Sequence, residues 1–281
     1  MAGRRQLPDI MGEALGRLRV ATSEVSSKVL PITLVEPNAP QEIMDKLARL
    51  RLTGMARALQ EQGQAQSAPL LSFEERLGRI LDQELEERRV RRLARSLRNA
   101  GLRYQPSLED VDWSAPRGFS RARLVELMRG DWVADKHNLL ISGPVGAGKT
   151  FLACLVARAI CADERSVRYA RASQLAAELA DCRQSENHLK NLASLVKLDL
   201  LVLDDWGLEP LENREGLALF ELLEARGQRG SLLVVSPLPP EDWERAVLNP
   251  TLAAAMVDRL RERSLNLALE GPSRRGAATP A

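Results

Sequence analysis

The 281-residue sequence has little of what metal or redox chemistry needs. Its three cysteines, Cys154, Cys161 and Cys182, show no Cys-x-x-Cys pair and no Cys/His spacing. They are therefore read as small core side chains of a reduced, cytoplasmic protein rather than as zinc ligands or a redox couple. The two histidines, His137 and His188, stand alone and leave no material for a histidine-dependent triad. No uninterrupted apolar stretch approaches the ~20 residues that cross a bilayer. No continuous hydrophobic segment follows Arg4 and Arg5 either, so neither a membrane span nor a secretory signal is expected. The formal net charge is only +2, and the distribution of charge says more than its sum.

Against these absences stands one dense motif. Gly143-Pro144-Val145-Gly146-Ala147-Gly148-Lys149-Thr150 completes the pattern Gly-x-x-x-x-Gly-Lys-Thr. The apolar run Asn138–Ser142 precedes it, and a glycine-free helical segment beginning at Phe151 follows. This is the strand-loop-helix context that a phosphate loop requires. The glycines let backbone N–H groups converge on phosphates, Lys149 supplies a cation for the β and γ oxygens, and the Thr150 hydroxyl can ligate Mg²⁺. The positive end of the following helix would face the same phosphates. ATP with Mg²⁺ is the expected cofactor pair.

The second half of such a site lies some fifty-five residues further on, in Asp199-Leu-Leu-Val-Leu-Asp204-Asp205, a buried-strand pattern ending in two carboxylates. Asp204 is expected to hold Mg²⁺ opposite Thr150, and Asp205 to orient or deprotonate the attacking water; the alternative is a pair of turn or capping residues. Two carboxylates at this place favour water as nucleophile, which sets a metabolic kinase aside. Ser236, closing the next strand, is either a sensor of the γ-phosphate or a simple turn serine before Pro237. Arg259, in Val257-Asp-Arg-Leu260, is either an arginine finger reaching a neighbouring subunit's phosphate or a helix-end cation stabilised by the dipole.

Strand-like and helical runs alternate after residue 104, which predicts an α/β fold with a parallel sheet covered on both faces. Four segments are expected: a poorly ordered extension over 1–40 with a short helix near Met11–Arg19, a helical N-terminal domain over 41–103, a nucleotide-binding domain over 104–271, and a tail over 272–281. Ser72 with Glu75 reads as a capping box, and Gly101 as the stop of a helix from Phe73 to about Ala100. That helix is expected to gather Leu77, Ile80, Leu81, Leu85, Val90, Leu93 and Leu97 mainly on one side. Its second half carries Arg88, Arg89, Arg91, Arg92, Arg95 and Arg98 with no acid between them, directly after an acidic stretch. The run is either a solvated face paired with upstream glutamates or a binder of DNA phosphates.

These residues resemble the IstB/DnaC branch of AAA+ ATPases, and within it the IstB-like transposition helper proteins. The resemblance runs from about Ile43 to Arg275 and rests on several blocks. They are Leu50-Arg-Leu-Thr-Gly-Met-Ala56, Leu71-Ser-Phe-Glu-Glu-Arg-Leu77, the phosphate loop, Ser166-Val-Arg-Tyr169, Asp199–Gly207, Asn249-Pro-Thr-Leu252 and Val257–Leu260. It implies an AAA+ core with a five-stranded parallel sheet flanked by helices, preceded by a small all-helical domain. It further implies a homo-oligomer that assembles on duplex DNA in the ATP state, largely without sequence preference, and recruits or stimulates a cognate transposase. Close relatives load replicative helicases, which is the alternative function. By the same resemblance, the helix pair Ser173–Val196 is similar to an initiator-type insertion. Arg183, Lys190 and Lys197 become candidate DNA contacts, although exposed solvated cations would look the same. Arg275, in Gly271-Pro-Ser-Arg274-Arg275, corresponds to a second phosphate sensor, and no helical lid follows Gly271.

Overall fold

The computed structural model describes residues 39–64, 71–114, 117–183 and 185–273. The extension over 1–38, its expected short helix and Arg275 lie outside the described residues. The chain divides into two compact units, one ending at Glu84 and the other beginning at Leu85.

The first unit is helical. It contains α1 (Ala39–Arg49), α2 (Thr53–Gln64) and the first half of α3 (Phe73–Ala100). The expected capping box starts α3: the Ser72 N–H donates to the Glu75 carboxylate at 2.8 Å, and the Glu75 N–H donates to the Ser72 hydroxyl at 3.2 Å. Glu84 is buried, and its carboxylate accepts from the backbone N–H groups of Gly54 at 2.8 Å and Met55 at 3.2 Å. A carboxylate at these N–H groups satisfies donors that the first turn of α2 leaves unpaired. The inward face of α3 is accordingly narrower than the leucine pattern predicts. Ile80 and Glu84 are buried, whereas Leu77, Leu81, Leu85 and Val90 are exposed. The physical reason is the period: leucines at 77, 81 and 85 advance four residues at a time and drift away from a 3.6-residue turn, so they leave the buried side.

The second unit is built on one five-stranded sheet, all parallel, in the order β2-β3-β4-β1-β5. The strands are β1 (Asn138–Ser142), β2 (Val167–Arg171), β3 (Leu200–Asp204), β4 (Ser231–Ser236) and β5 (Ser264–Ala268). Every residue of β1, β3 and β4 is buried, which is what unbroken apolar runs such as Leu-Leu-Val-Leu predict for strands covered on both faces. Alternate residues sort the two cores. Leu139, Ile141, Leu200, Val202, Leu233 and Val235 face α4 (Arg121–Arg129), the one-turn α5 (Asp131–Ala134) and α6 (Lys149–Ala162). Leu140, Leu201, Leu203, Leu232 and Val234 face α7 (Ala172–Cys182), α8 (His188–Val196), α9 (Asn213–Arg226) and α10 (Pro250–Arg261). Cys154 and Cys161 are buried as expected, and Cys182 is half-buried. The segment 104–111 does more than connect. Leu108 and Val111 join the core beside Leu93 and Leu97, and the Arg158 guanidinium donates to the Pro106 carbonyl at 2.7 Å. Pro240–Ala246 is a 3₁₀ helix, with Pro240 at its start where a missing N–H costs no hydrogen bond.

Two buried polar side chains tie down the amino-terminal edge of the sheet. The Asn138 amide donates to the carbonyls of Arg259, Leu260 and Glu262 at 3.1–3.3 Å and accepts from the Leu232 N–H at 3.0 Å. The Arg226 guanidinium donates to the carbonyls of Leu195, Leu198 and Ser231. Burial works against the arginine's charge and lowers its pKa, so the three carbonyl dipoles are what hold it there. Arg226→Met leaves those carbonyls without a donor and is expected to cost about 3 kcal/mol of stability, read from urea denaturation. A loss below about 0.5 kcal/mol, within the range of ordinary surface substitutions, would refute this role.

Candidate nucleotide site

The sheet order brings the ends of β1 and β3 to either side of β4, and both halves of the sequence signature lie at these carboxyl-terminal ends. The phosphate loop follows Ser142 and runs into α6, which starts at Lys149. Gly143 has φ 141° and packs against the segment after β5, where an added Cβ would lie 2.4 Å from the Leu269 carbonyl oxygen. Only glycine fits there. The Leu269 N–H in turn donates to Ser142 O at 2.8 Å, so the strand that ends the domain also clamps the entrance of the loop. Lys149 is buried, and its ammonium donates to the carbonyls of Gly143 and Pro144, each at 2.8 Å. Phe151 is half-buried against the core, whereas Val145 is exposed at the tip of the loop.

Asp204 is the hub of the site. Its side chain is fully buried; Oδ1 accepts from the Thr150 hydroxyl at 3.2 Å and from the Asp205 N–H at 2.8 Å, and Oδ2 accepts from the Tyr169 hydroxyl at 2.6 Å. Burial and the neighbouring carboxylate raise the Tyr169 pKa, which keeps that hydroxyl a proton donor to Asp204. Asp205 follows in a left-handed conformation, φ 58°, which aspartate tolerates better than most residues. It lies between two guanidiniums, Arg171 at 3.4 Å and Arg103 at 4.0 Å. Desolvation and the adjacent Asp204 raise its pKa, and Arg171, Arg103 and Lys149 pull it back. Trp206 explains the rest of the Asp-Asp-Trp-Gly block. Its indole is fully buried, 6.2 Å from the Trp243 ring, and the Trp206 backbone N–H donates to Val235 O at 2.8 Å. The turn after β3 is thereby fixed to β4, and the orientation of Asp205 with it.

Lys149, Thr150, Asp204 and Asp205 thus form one cluster, and its chemistry fits a metal-bound triphosphate. Thr150 and Asp204 present two hard oxygen donors to each other of the kind Mg²⁺ takes, beside a glycine-rich loop and a buried ammonium. The IstB-like ATP binding protein family matches residues 45–279 of this sequence. The chain belongs to that family. Among its relatives, an insertion sequence ATP-binding protein of Sinorhizobium fredii is 42% identical over 232 residues, 83% of this chain and 95% of the relative. The ATP-binding protein of insertion sequence IS1162 from Pseudomonas fluorescens is 39% identical over 200 residues, 71% of this chain and 87% of that one. The crystal structure of DnaI shares the fold, with a TM-score of 0.50 at 23% identity, over 61% of this chain and 91% of DnaI.

Other expected residues of this IstB-like chain lie apart from the cluster or are already engaged. The Ser236 hydroxyl is buried, donates to Trp206 O at 2.7 Å and accepts from the Leu238 N–H at 3.0 Å, which accounts for a serine here as a clasp on the turn after β3. Arg259 sits beside Asn138, at the opposite end of β1 from the phosphate loop, a strand's length or roughly 13 Å away. There it pairs with Glu224 and lies 3.5 Å from Asp258. Those carboxylates raise its pKa. Arg183 faces Glu221 at 3.3 Å, while Lys190 and Lys197 are exposed on α8 and at its end. Arg88, Arg89, Arg91, Arg92 and Arg95 are exposed on α3, with Arg89 3.4 Å from Glu86 and Arg91 3.2 Å from Glu87. Sequence reasoning missed Tyr169, Arg103 and Arg171 as neighbours of the aspartates. The one available signal was the strand that opens in Ser166-Val-Arg-Tyr169, because a parallel neighbour of β3 must end beside it, and Arg171 at that end pairs in register with Asp204.

The Asp205 environment gives a pH test. Arg171 holds the Asp205 carboxyl down, so Arg171→Met raises that pKa further. If Asp205 acts as the ionised base, the acid limb of the nucleotide-hydrolysis profile moves to higher pH in the variant. A limb that stays in place would show that Asp205 does not set it.

Proposed function

We propose that this chain is an ATP-hydrolysing, DNA-binding helper of insertion-sequence transposition that assembles with copies of itself and acts on a transposase. The observation that carries the ATPase reading is the 3.2 Å contact between Thr150 and Asp204, which joins the phosphate loop to the carboxylate strand. The transposition reading draws on relatives named as insertion-sequence proteins that this chain spans over 95% and 87% of their length. The likeness to DnaI is one of fold and lends no weight to helicase loading.

In this reading Lys149 would leave the carbonyls of Gly143 and Pro144 for the triphosphate, and Thr150 and Asp204 would be the residues that hold Mg²⁺. The metal supplies charge neutralisation on the triphosphate. Tyr169 keeps Asp204 in one orientation by donating to Oδ2. Asp205 accepts a hydrogen bond, and finally a proton, from the attacking water; Arg171 and Arg103 keep it ionised near neutral pH. Arg259 cannot serve its own site from the far end of β1, and it acts on the pocket of an adjoining copy. Hydrolysis then depends on assembly. The exposed cations of α3 and α8 supply a salt-sensitive hold on duplex DNA.

Lys149→Ala is expected to weaken ATP binding about 10- to 100-fold, the worth of a charged hydrogen bond, in a calorimetric titration. Arg259→Ala should bind ATP normally and hydrolyse it on the order of 10³-fold more slowly. Mixing the two inactive variants restores part of the wild-type rate, because some interfaces then pair an intact Lys149 pocket with an intact Arg259. No recovery on mixing, with both variants folded, would sink the shared-site reading.

A further inference from the structure

A cleft of about 170 Å³ lies in the second unit between the arginine-rich half of α3 and the end of α6. We propose that it seats the sugar-phosphate backbone of one DNA strand; the inference rests on the DNA-binding reading and places it on particular residues. Of the six arginines between 88 and 98, the cleft takes three: Arg89, Arg92 and Arg95. Their spacing of three puts them along one side of the helix in steps of about 4.5 Å, a row of roughly 9 Å. Neighbouring phosphates of a strand lie farther apart than the axial rise of about 3.4 Å per strand, so the row is long enough for two consecutive phosphates. Ser96 adds a hydroxyl donor at the end of the row.

The floor has the complementary character. Leu93, Ala162 and the buried Cys161 present an apolar surface, which suits the deoxyribose edge between phosphates. Burial raises the Cys161 thiol to about 11, so it stays neutral and offers no charge of its own. The cavity is the size of about five or six waters, enough for a sugar-phosphate unit and too small for a base pair.

Arg89 lies 3.4 Å from Glu86 on its own helix, and one carboxylate from outside the helix stands in the way. Glu164 pairs with Arg92 at 2.9 Å across the mouth of the cleft. Both side chains of that pair are more than half exposed, 56% and 57%, and such a pair holds weakly in water. A phosphate that takes two parallel guanidinium bonds replaces it. Arg95 has no ion pair among the described residues and is ready for the next phosphate. Glu164 therefore acts as a stand-in anion, and its removal should help DNA rather than hinder it. A merely solvated arginine face would show no such opposite sign.

The test is a fluorescence-anisotropy titration of the full chain with a labelled duplex of mixed sequence, over a series of salt concentrations, with a non-hydrolysable ATP analogue present. The Arg92→Ala/Arg95→Ala variant is expected to bind all sequences more weakly and to lose about two from the slope of log affinity against log salt. Glu164→Gln is expected to bind several-fold more tightly. Calorimetric uptake of ATP by each variant confirms that the fold is intact. An unchanged slope in the double variant, or weaker binding by Glu164→Gln, overturns the seat while leaving the DNA-binding reading in place. Wild-type protein that fails to bind the duplex even at low salt overturns that reading and the seat together.

Discussion

One buried carboxylate organises the nucleotide end of this protein. Asp204 has no access to solvent and takes three donors, from Thr150, Tyr169 and the Asp205 N–H. A carboxylate taken out of water is costly unless hydrogen bonds replace the ones it loses. Each of the three donors lies on a different piece of the chain: the first turn of α6, the middle of β2 and the backbone just past β3. Satisfying Asp204 therefore fixes the phosphate loop, the neighbouring strand and Asp205 relative to one another. The arrangement is preorganised for charge before any ligand arrives.

The sheet makes that convergence possible. Three central strands buried on both faces align their carboxyl-terminal ends, and loops at those ends are the usual place for a ligand in an open parallel sheet. The opposite edge is held with equal care by Asn138 and Arg226, each spending its polar atoms on backbone groups of several elements. Arg259 belongs to that second edge. Its distance from its own phosphate loop is a consequence of strand length, which is why the proposed role for it lies in the pocket of another copy.

The cations fall into groups that composition does not distinguish. Arg171 and Arg103 are local to Asp205, Arg226 is internal, and Arg89, Arg92 and Arg95 share a cleft. The cleft's floor is the last turn of α6, and the first residue of that same helix is Lys149. A polyanion at one end and a triphosphate at the other would act on a single rigid element about 20 Å long.

Much of this was legible in the residues before any coordinates. The phosphate loop, the double aspartate, the parallel sheet and the Ser72–Glu75 cap are local patterns, because backbone convergence, strand burial and helix starts are each decided within a few neighbouring residues. The roles of Tyr169, Arg103, Arg171 and Ser236 were not legible, nor was the exposure of Leu77, Leu81 and Leu85. The sequence by itself determined which groups can hold phosphate and metal and which segments are strands. Only the tertiary structure decided which of the described basic residues meet an acid, a carbonyl or a cleft. The reason is that a charge on a long side chain is set by neighbours distant in sequence, and those neighbours are chosen by strand order and helix packing rather than by spacing along the chain.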